Sequence, residues 1–190
     1  MPVIHELRGR EILDSRGHPT VLAECTLESG ACGTASVPSG ASTGLHEALE
    51  LRDGDPLRYR GLGCRKAAAH IGNEIRAAVA GLHLQSQEQL DGVLLELDGT
   101  ANCGRLGANA LLAVSIAFAR AHAAELGRPL CEHFASLAGQ TIERMPLLTI
   151  NLFSGGKHAG KQVPVQDVLI APVAASCIDD ALAQSSEQMQ

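Results

Sequence analysis

The chain has 190 residues, 45% of them apolar, with one Tyr, three Phe and no Trp, so a core must be built from aliphatic side chains and Ala. The formal charge is −6, from 15 Lys and Arg against 21 Asp and Glu. With no basic run that could track a phosphate backbone, nucleic acid is not an expected partner. No apolar stretch reaches the length of a bilayer span, and the first residues, MPVIHELRGREILD, are charged and hold no apolar signal core. No membrane partner is expected, and the expected location is cytoplasmic.

Residues 3–8 predict a short strand. Residues 20–27 alternate: Val21, Ala23, Cys25 and Leu27 face one way, Thr20, Glu24 and Thr26 the other, as in a half-buried strand. Turn chemistry at Ser29-Gly30 and a third run at 32–37 complete three short strands joined by tight turns, which predicts an antiparallel meander. The stretch VPSGASTGLHEALELRDGD (37–55) follows. It stops the third strand at Pro38, sets six small or hydroxylated residues in a row, and continues into a charged run that reads as helical. On that reading Glu47, Glu50, Arg52 and Asp53 form a solvated, salt-bridged helix face. The Gly/Ser segment alone is most simply an exposed loop. A mobile lid that carries a ligand is the sharper alternative, and the stretch by itself does not separate the two.

Helices come next. Ala68, Ile71, Ile75, Ala78 and Val79 recur at helical spacing between Arg65 and Val79. Ser86-Gln87-Glu88-Gln89 is a capping box, opening a helix whose stripe is Leu90, Leu94 and Leu97, with Asp91 and Asp98 off it. Asp98-Gly99-Thr100 closes that helix. A long helix over 107–126 is apolar nearly all round, which predicts burial on more than one side. A short helix spans 130–138 and ends at Gly139.

The character then changes, and a domain boundary is expected near 140–146, giving units 1–140 and 146–190. Residues 147–153 are almost continuously apolar, as in a strand buried on both faces. A Gly-rich loop (154–160), a second buried strand (165–171) and a helix (176–190) follow. Two strands and a helix are too few to enclose a core. The six cysteines, at 25, 32, 64, 103, 131 and 177, never stand two or three apart, so free thiols are expected rather than a zinc or redox motif. The histidines lack metal spacing, and all except His158 are assigned structural or surface roles.

Four stretches in register, EILDSRGHPTV (11–21), VPSGASTGLHEALELRD (37–53), LDGTANCGRLGANALLAVSIAFA (97–119) and NLFSGGKHAG (151–160), resemble the enolase family along the whole chain. The resemblance implies an α+β fold: a three-stranded antiparallel meander followed by helices, then the first strands and helix of an incomplete α/β barrel. It implies Mg2+-dependent dehydration of 2-phosphoglycerate, a phosphorylated three-carbon acid, to phosphoenolpyruvate, normally in a homodimer. Gly40, Ala41, Ser42, Thr43 and Gly44 then form a lid that closes on substrate, with Ser42 a ligand of the second Mg2+ through its hydroxyl and backbone carbonyl. Mg2+ takes oxygen ligands, and Gly40 and Gly44 can absorb the backbone change of closure. His158, in a Gly-flanked loop at the carboxyl end of a strand, is assigned to substrate binding. Gln166 and Asp167 match a Gln-Glu pair beside the substrate, with Asp167 a supporting catalytic carboxylate. Arg16 is assigned to dimer contacts.

The chain departs from the family pattern at Asp167, one methylene shorter than the usual Glu, at His18 in place of Asn, at Phe153-Ser154 and at Lys157. The resemblance also implies a general-base Lys, a general-acid Glu and three acidic ligands of the first Mg2+ further along the barrel than residue 190. The expectation is therefore the N-terminal part of an enolase-like protein, a fragment or one half of a split gene, inactive in isolation. Two alternatives stand beside enolase itself. One is a related dehydratase of a 2-phosphoglycerate analogue, such as the carboxyphosphonoenolpyruvate synthases of phosphonate biosynthesis. The other is a non-catalytic truncated homologue or interaction module.

Overall fold

The computed structural model describes residues 1–40, 44, 46–155 and 164–188. Strands β1 (Ile4–Leu13), β2 (Pro19–Leu27) and β3 (Cys32–Val37) pair antiparallel in chain order. β1 runs further than its apolar start suggests, because Gly9 to Leu13 stay paired with Ala23 to Pro19. The register sets Leu7 beside Cys25, Gly9 beside Ala23 and Glu11 beside Val21, with Gly33, Ala35 and Val37 completing the rows on β3. Directly opposed residues share a face, so one face of the sheet is lined by small side chains at its centre.

Helices lie close on that face. α1 (Arg65–His70) runs through an i→i+5 segment, Ile71–Ile75, into α2 (Arg76–Val79), and α1 packs on β1. α3 (Gln87–Asp98) leads to α4 (Ala108–Glu125), which crosses β2 and β3, and α5 (Leu130–Leu137) packs against α4. The apolar core of this unit draws on Ile4, Leu7, Val21, Ile71, Ile75, Leu90, Val114 and Phe118, all essentially inaccessible. Ten residues of α4 are buried, which is why its sequence shows almost no polar face.

Three local expectations are corrected. Residues 46–55 are not helical. Their backbone is used in tertiary pairing instead: Leu51 N–H donates to Asn109 Oδ1 (3.1 Å), Asn109 Nδ2 donates to Leu51 O (3.2 Å), Leu49 N–H donates to Asn102 O (2.8 Å) and Ala108 N–H donates to Leu49 O (2.9 Å). An α-helix needs those same groups internally, so the segment is extended and Glu50 and Arg52 fall on one side of it. At the start of α3, Ser86 Oγ accepts from Gln89 N–H as expected (3.2 Å), but Gln89 Oε1 reaches back to Gln85 N–H (2.6 Å) rather than to the cap residue itself. Asp98 is only 2% exposed, although it lies off the leucine stripe, because it serves the turn that follows.

The chain divides into two compact units, Met1–Thr141 and Ile142–Gln190. In the second, β4 (Ile150–Ser154) and β5 (Asp167–Ile170) pair antiparallel, and α6 (Ile178–Gln188) follows. Neither strand is buried on both faces, contrary to the apolar pattern: Phe153 is 48% and Leu169 54% exposed. A two-stranded sheet offers no neighbouring strands or second layer to cover such residues. Limited proteolysis is expected to leave a resistant core ending near Thr141, because residues 139–147 are exposed in the structure. Mass spectrometry of the products checks this. Cuts concentrated within 1–130 would contradict it.

Candidate active-site elements

Each unit carries part of the set singled out in the sequence. In the first, Ser39, just ahead of the Gly/Ser segment, is fastened on several sides. Ser39 Oγ donates to Glu50 Oε2 (2.6 Å), and Arg52 Nη2 donates to the same carboxylate oxygen (2.6 Å) and to Ser39 Oγ. The other end of that guanidinium is also satisfied, since Nη1 lies 2.7 Å from Pro19 O, 2.9 Å from Leu62 O and 2.9 Å from Cys64 Sγ. Arg16 Nη2 donates to Ser39 O (2.6 Å). Arg16 is aimed by Asp14, whose Oδ1 accepts from the backbone N–H of His18 and of Arg16 at 2.8 Å each. Those bonds, His18 first, hold the Asp14 carboxyl below its ordinary range. On the far side, Gly44 N–H donates to Glu47 Oε2 (2.6 Å). Gly40 and Gly44 thus bracket the segment, while Ala41, Ser42 and Thr43 lie outside the described residues.

Glu50 and Arg52, expected on a solvated helix face, are therefore the buttress of Ser39. The signal that could have revealed them is the alternation Leu49-Glu50-Leu51-Arg52, which is the period of an extended segment rather than of a helix. Close by, the Glu11 carboxylate receives Arg58 on both oxygens and Cys64 N–H on Oε2 (2.5 Å). Chiefly the Arg58 guanidinium holds that carboxyl low, against the effect of burial. The described thiols are free, and burial pushes Cys25 up to about 12, which makes it an inert core residue.

In the second unit, Asp167 opens β5 directly opposite Ser154. Ser154 Oγ donates to Asp167 Oδ1 (2.6 Å), Asn151 Nδ2 donates to the same oxygen (3.1 Å), and Asn151 Nδ2 also donates to Ser154 Oγ (2.6 Å). Gly155 N–H donates to Gln166 O (2.7 Å), so the Gln166 backbone closes the sheet while its side chain is exposed. His158 lies outside the described residues. Local sequence does not mark Asn151 and Ser154 as partners of Asp167, because the register irregularity of β4 brings them together. Among the described residues no three His, Cys, Asp or Glu side chains converge on a metal position. The described residues alone do not make a complete Mg2+ site.

A meander covered by helices, followed by a second unit that opens with two antiparallel strands and a helix, defines a two-unit α+β protein. Residues 4–134 match the family model for the enolase N-terminal domain and residues 142–190 that for the enolase C-terminal TIM barrel domain. The chain is 48% identical over 184 residues to the enolase of Legionella pneumophila subsp. pneumophila (strain Philadelphia 1), covering 97% of this chain and 43% of that relative. The chain belongs to the enolase family, and it spans less than half the length of that relative.

Proposed function

We propose that the complete protein to which these residues belong dehydrates 2-phosphoglycerate to phosphoenolpyruvate. The observation that carries this reading is 48% identity sustained over 97% of the chain to a protein named enolase. The reaction takes a weakly acidic proton from the carbon next to a carboxylate and expels hydroxide from the neighbouring carbon. The dianionic intermediate needs cationic stabilisation, which is the chemistry Mg2+ supplies when bound. This chain's own contributions are two. Its first unit anchors the lid, 40–44, at Ser39 and Gly44, so that closure moves the short segment between two fixed points and excludes water from the substrate. Its second unit holds the Asp167 carboxylate, with Gln166 and His158, for the substrate and the departing hydroxyl. The proposal includes a cytoplasmic homodimer of the complete protein with Arg16 near the contact, which sedimentation of the complete protein tests.

The complete protein, given 2-phosphoglycerate and Mg2+, is expected to form phosphoenolpyruvate, followed by its ultraviolet absorbance. The purified 190-residue chain under the same conditions is expected to form none, because the residues implied as base and primary metal ligands are not among these 190. Absence of product with the complete protein would overturn the reading. Turnover by the isolated chain would overturn the assignment of the base to a later segment.

A further inference from the structure

We propose that Ser154 and Asn151 are positioning residues for the Asp167 carboxylate, and that Ser154 and Asp167 act as one matched pair in place of a longer acid. The inference rests on the reading of Asp167 as a carboxylate of the dehydration site.

In a regular strand, residues 151 and 154 are three apart and point to opposite faces. β4 is not regular. Its register shifts between Asn151, opposite Leu169, and Phe153, opposite Val168, so Leu152 is an extra residue. A one-residue bulge of this kind resets the alternation. Asn151 is thereby turned to the face that carries Ser154 and its cross-strand partner Asp167. The three side chains then close a triangle in which every group has its proper role. The Asn151 amide spends one N–H on Ser154 Oγ (2.6 Å) and the other on Asp167 Oδ1 (3.1 Å), and Ser154 gives its only proton to that same Oδ1 (2.6 Å). Two donors on one carboxylate oxygen fix the rotation of the carboxyl group as well as its position, and hydrogen bonds to an ionised acceptor are the stronger class.

Chain length is matched across the pair. Ser154 carries its hydroxyl one bond beyond Cβ, and Asp167 carries its carboxyl carbon at the same distance from the sheet. Opposed Cβ atoms lie about 4.5–5.5 Å apart, so the two short side chains meet side by side. A Glu at 167 would carry its carboxyl past both donors. The shorter acid is therefore held by a partner of equally short reach, and the departures at 154 and 167 form one change rather than two.

Two measurements test this. In the 190-residue chain, the Asn151 side-chain amide is expected to show resolved, exchange-protected NMR signals. They should collapse toward free-amide values in Asp167→Ala and in Ser154→Ala, and persist in Ser154→Thr, which keeps the hydroxyl. In the complete enzyme, Ser154→Ala is expected to lower kcat for 2-phosphoglycerate about tenfold with KM little changed, the worth of one hydrogen bond to a charged group. It should cost less than about twofold when introduced into Asp167→Ala or Asp167→Glu, since the partner is already lost. Equal losses in all backgrounds, or an Asn151 amide indifferent to Asp167→Ala, would overturn the proposal. If the complete protein does not turn over 2-phosphoglycerate at all, the functional reading fails separately, and the amide measurement still decides the triangle.

Discussion

Gly33→Ala is expected to lower the stability of the first unit by about 3 kcal/mol, and Gly33→Val to prevent its folding. A Cβ at Gly33 would stand 2.2 Å from Ala117 O and 2.4 Å from Ala121 N, both backbone atoms of α4. Side chains can swing aside, but a helix backbone can move only by lifting the whole helix off the sheet. That displacement would open the core around Ala117, Ala121 and Cys25, all fully buried. Gly9 plays the same part under α1, where a Cβ would meet Ala68 O at 2.2 Å. Against a total stability of roughly 5–15 kcal/mol for an ordinary domain, one such clash is a large fraction. Urea unfolding followed by far-ultraviolet circular dichroism measures it. Gly92→Ala is the contrast. It lies inside α3 with nothing within 4 Å of the added carbon, and is expected to stabilise by about 0.5–1 kcal/mol through helix propensity alone. A Gly33→Ala protein as stable as the parent would mean that α4 does not press on the sheet.

Asp98→Ala is expected to cost about 3 kcal/mol, for a different reason. The buried carboxylate accepts from Leu106 N–H on Oδ2 (2.7 Å), and from Thr100 N–H (3.1 Å) and the Thr100 hydroxyl on Oδ1. Arg105 is drawn in as well, with Nε on Asp98 O (3.1 Å) and a second nitrogen on Leu97 O. Truncation leaves the buried Leu106 N–H with nothing to bond. Asp98→Asn is expected to fall between, because an amide can replace one oxygen but turns a donor toward an existing donor. Burial alone would raise this carboxyl, but the Thr100 hydroxyl and the Leu106 and Thr100 amides outweigh it and hold it below 3.8. The sign follows from linkage. The unfolded chain takes up a proton at higher pH than the folded one, so the contribution is complete above the unfolded range near pH 4. It is lost as pH falls through the folded value. The parent should therefore lose stability more steeply below pH 4 than Asp98→Asn does, and parallel curves would contradict the assignment.

The difference between these positions shows what a sequence exposes. Periodic burial is legible, so the alternation of Val21, Ala23, Cys25 and Leu27 and the stripes at Ile71, Ile75 and Val79 announce their elements. The Ser86 cap is legible because its partner is three residues away. What depends on distant partners is not. Nothing near Gly33 in sequence signals Ala117, and nothing near Leu51 signals the Asn109 amide that holds it extended. The charge pattern of 46–55 suits a helix by local rules, and a tertiary hydrogen-bond set overrides them. The candidate site divides the same way. Gln166 and Asp167 are found by resemblance, whereas Asn151 is hidden by a bulge that changes which face it occupies, and Glu50 and Arg52 by the mistaken period of their segment.

The order of the first sheet bears on how the protein is born. β1, β2 and β3 are neighbours in the chain as well as in the sheet, and the core beneath them draws its last residue from Ala121. Every partner this core requires is synthesised before Ile150, the first residue of β4. Contacts between near neighbours form early, and domains fold as units during synthesis. The first unit can thus become a finished, inert body while the second is still being translated. In the second unit, exposed apolar side chains of the strand pair include Leu152, Phe153 and Leu169. A chaperone that holds exposed strand edges is expected to bind nascent chains in which residues 150–170 have cleared the exit tunnel more strongly than chains in which only residues up to Thr141 have cleared it.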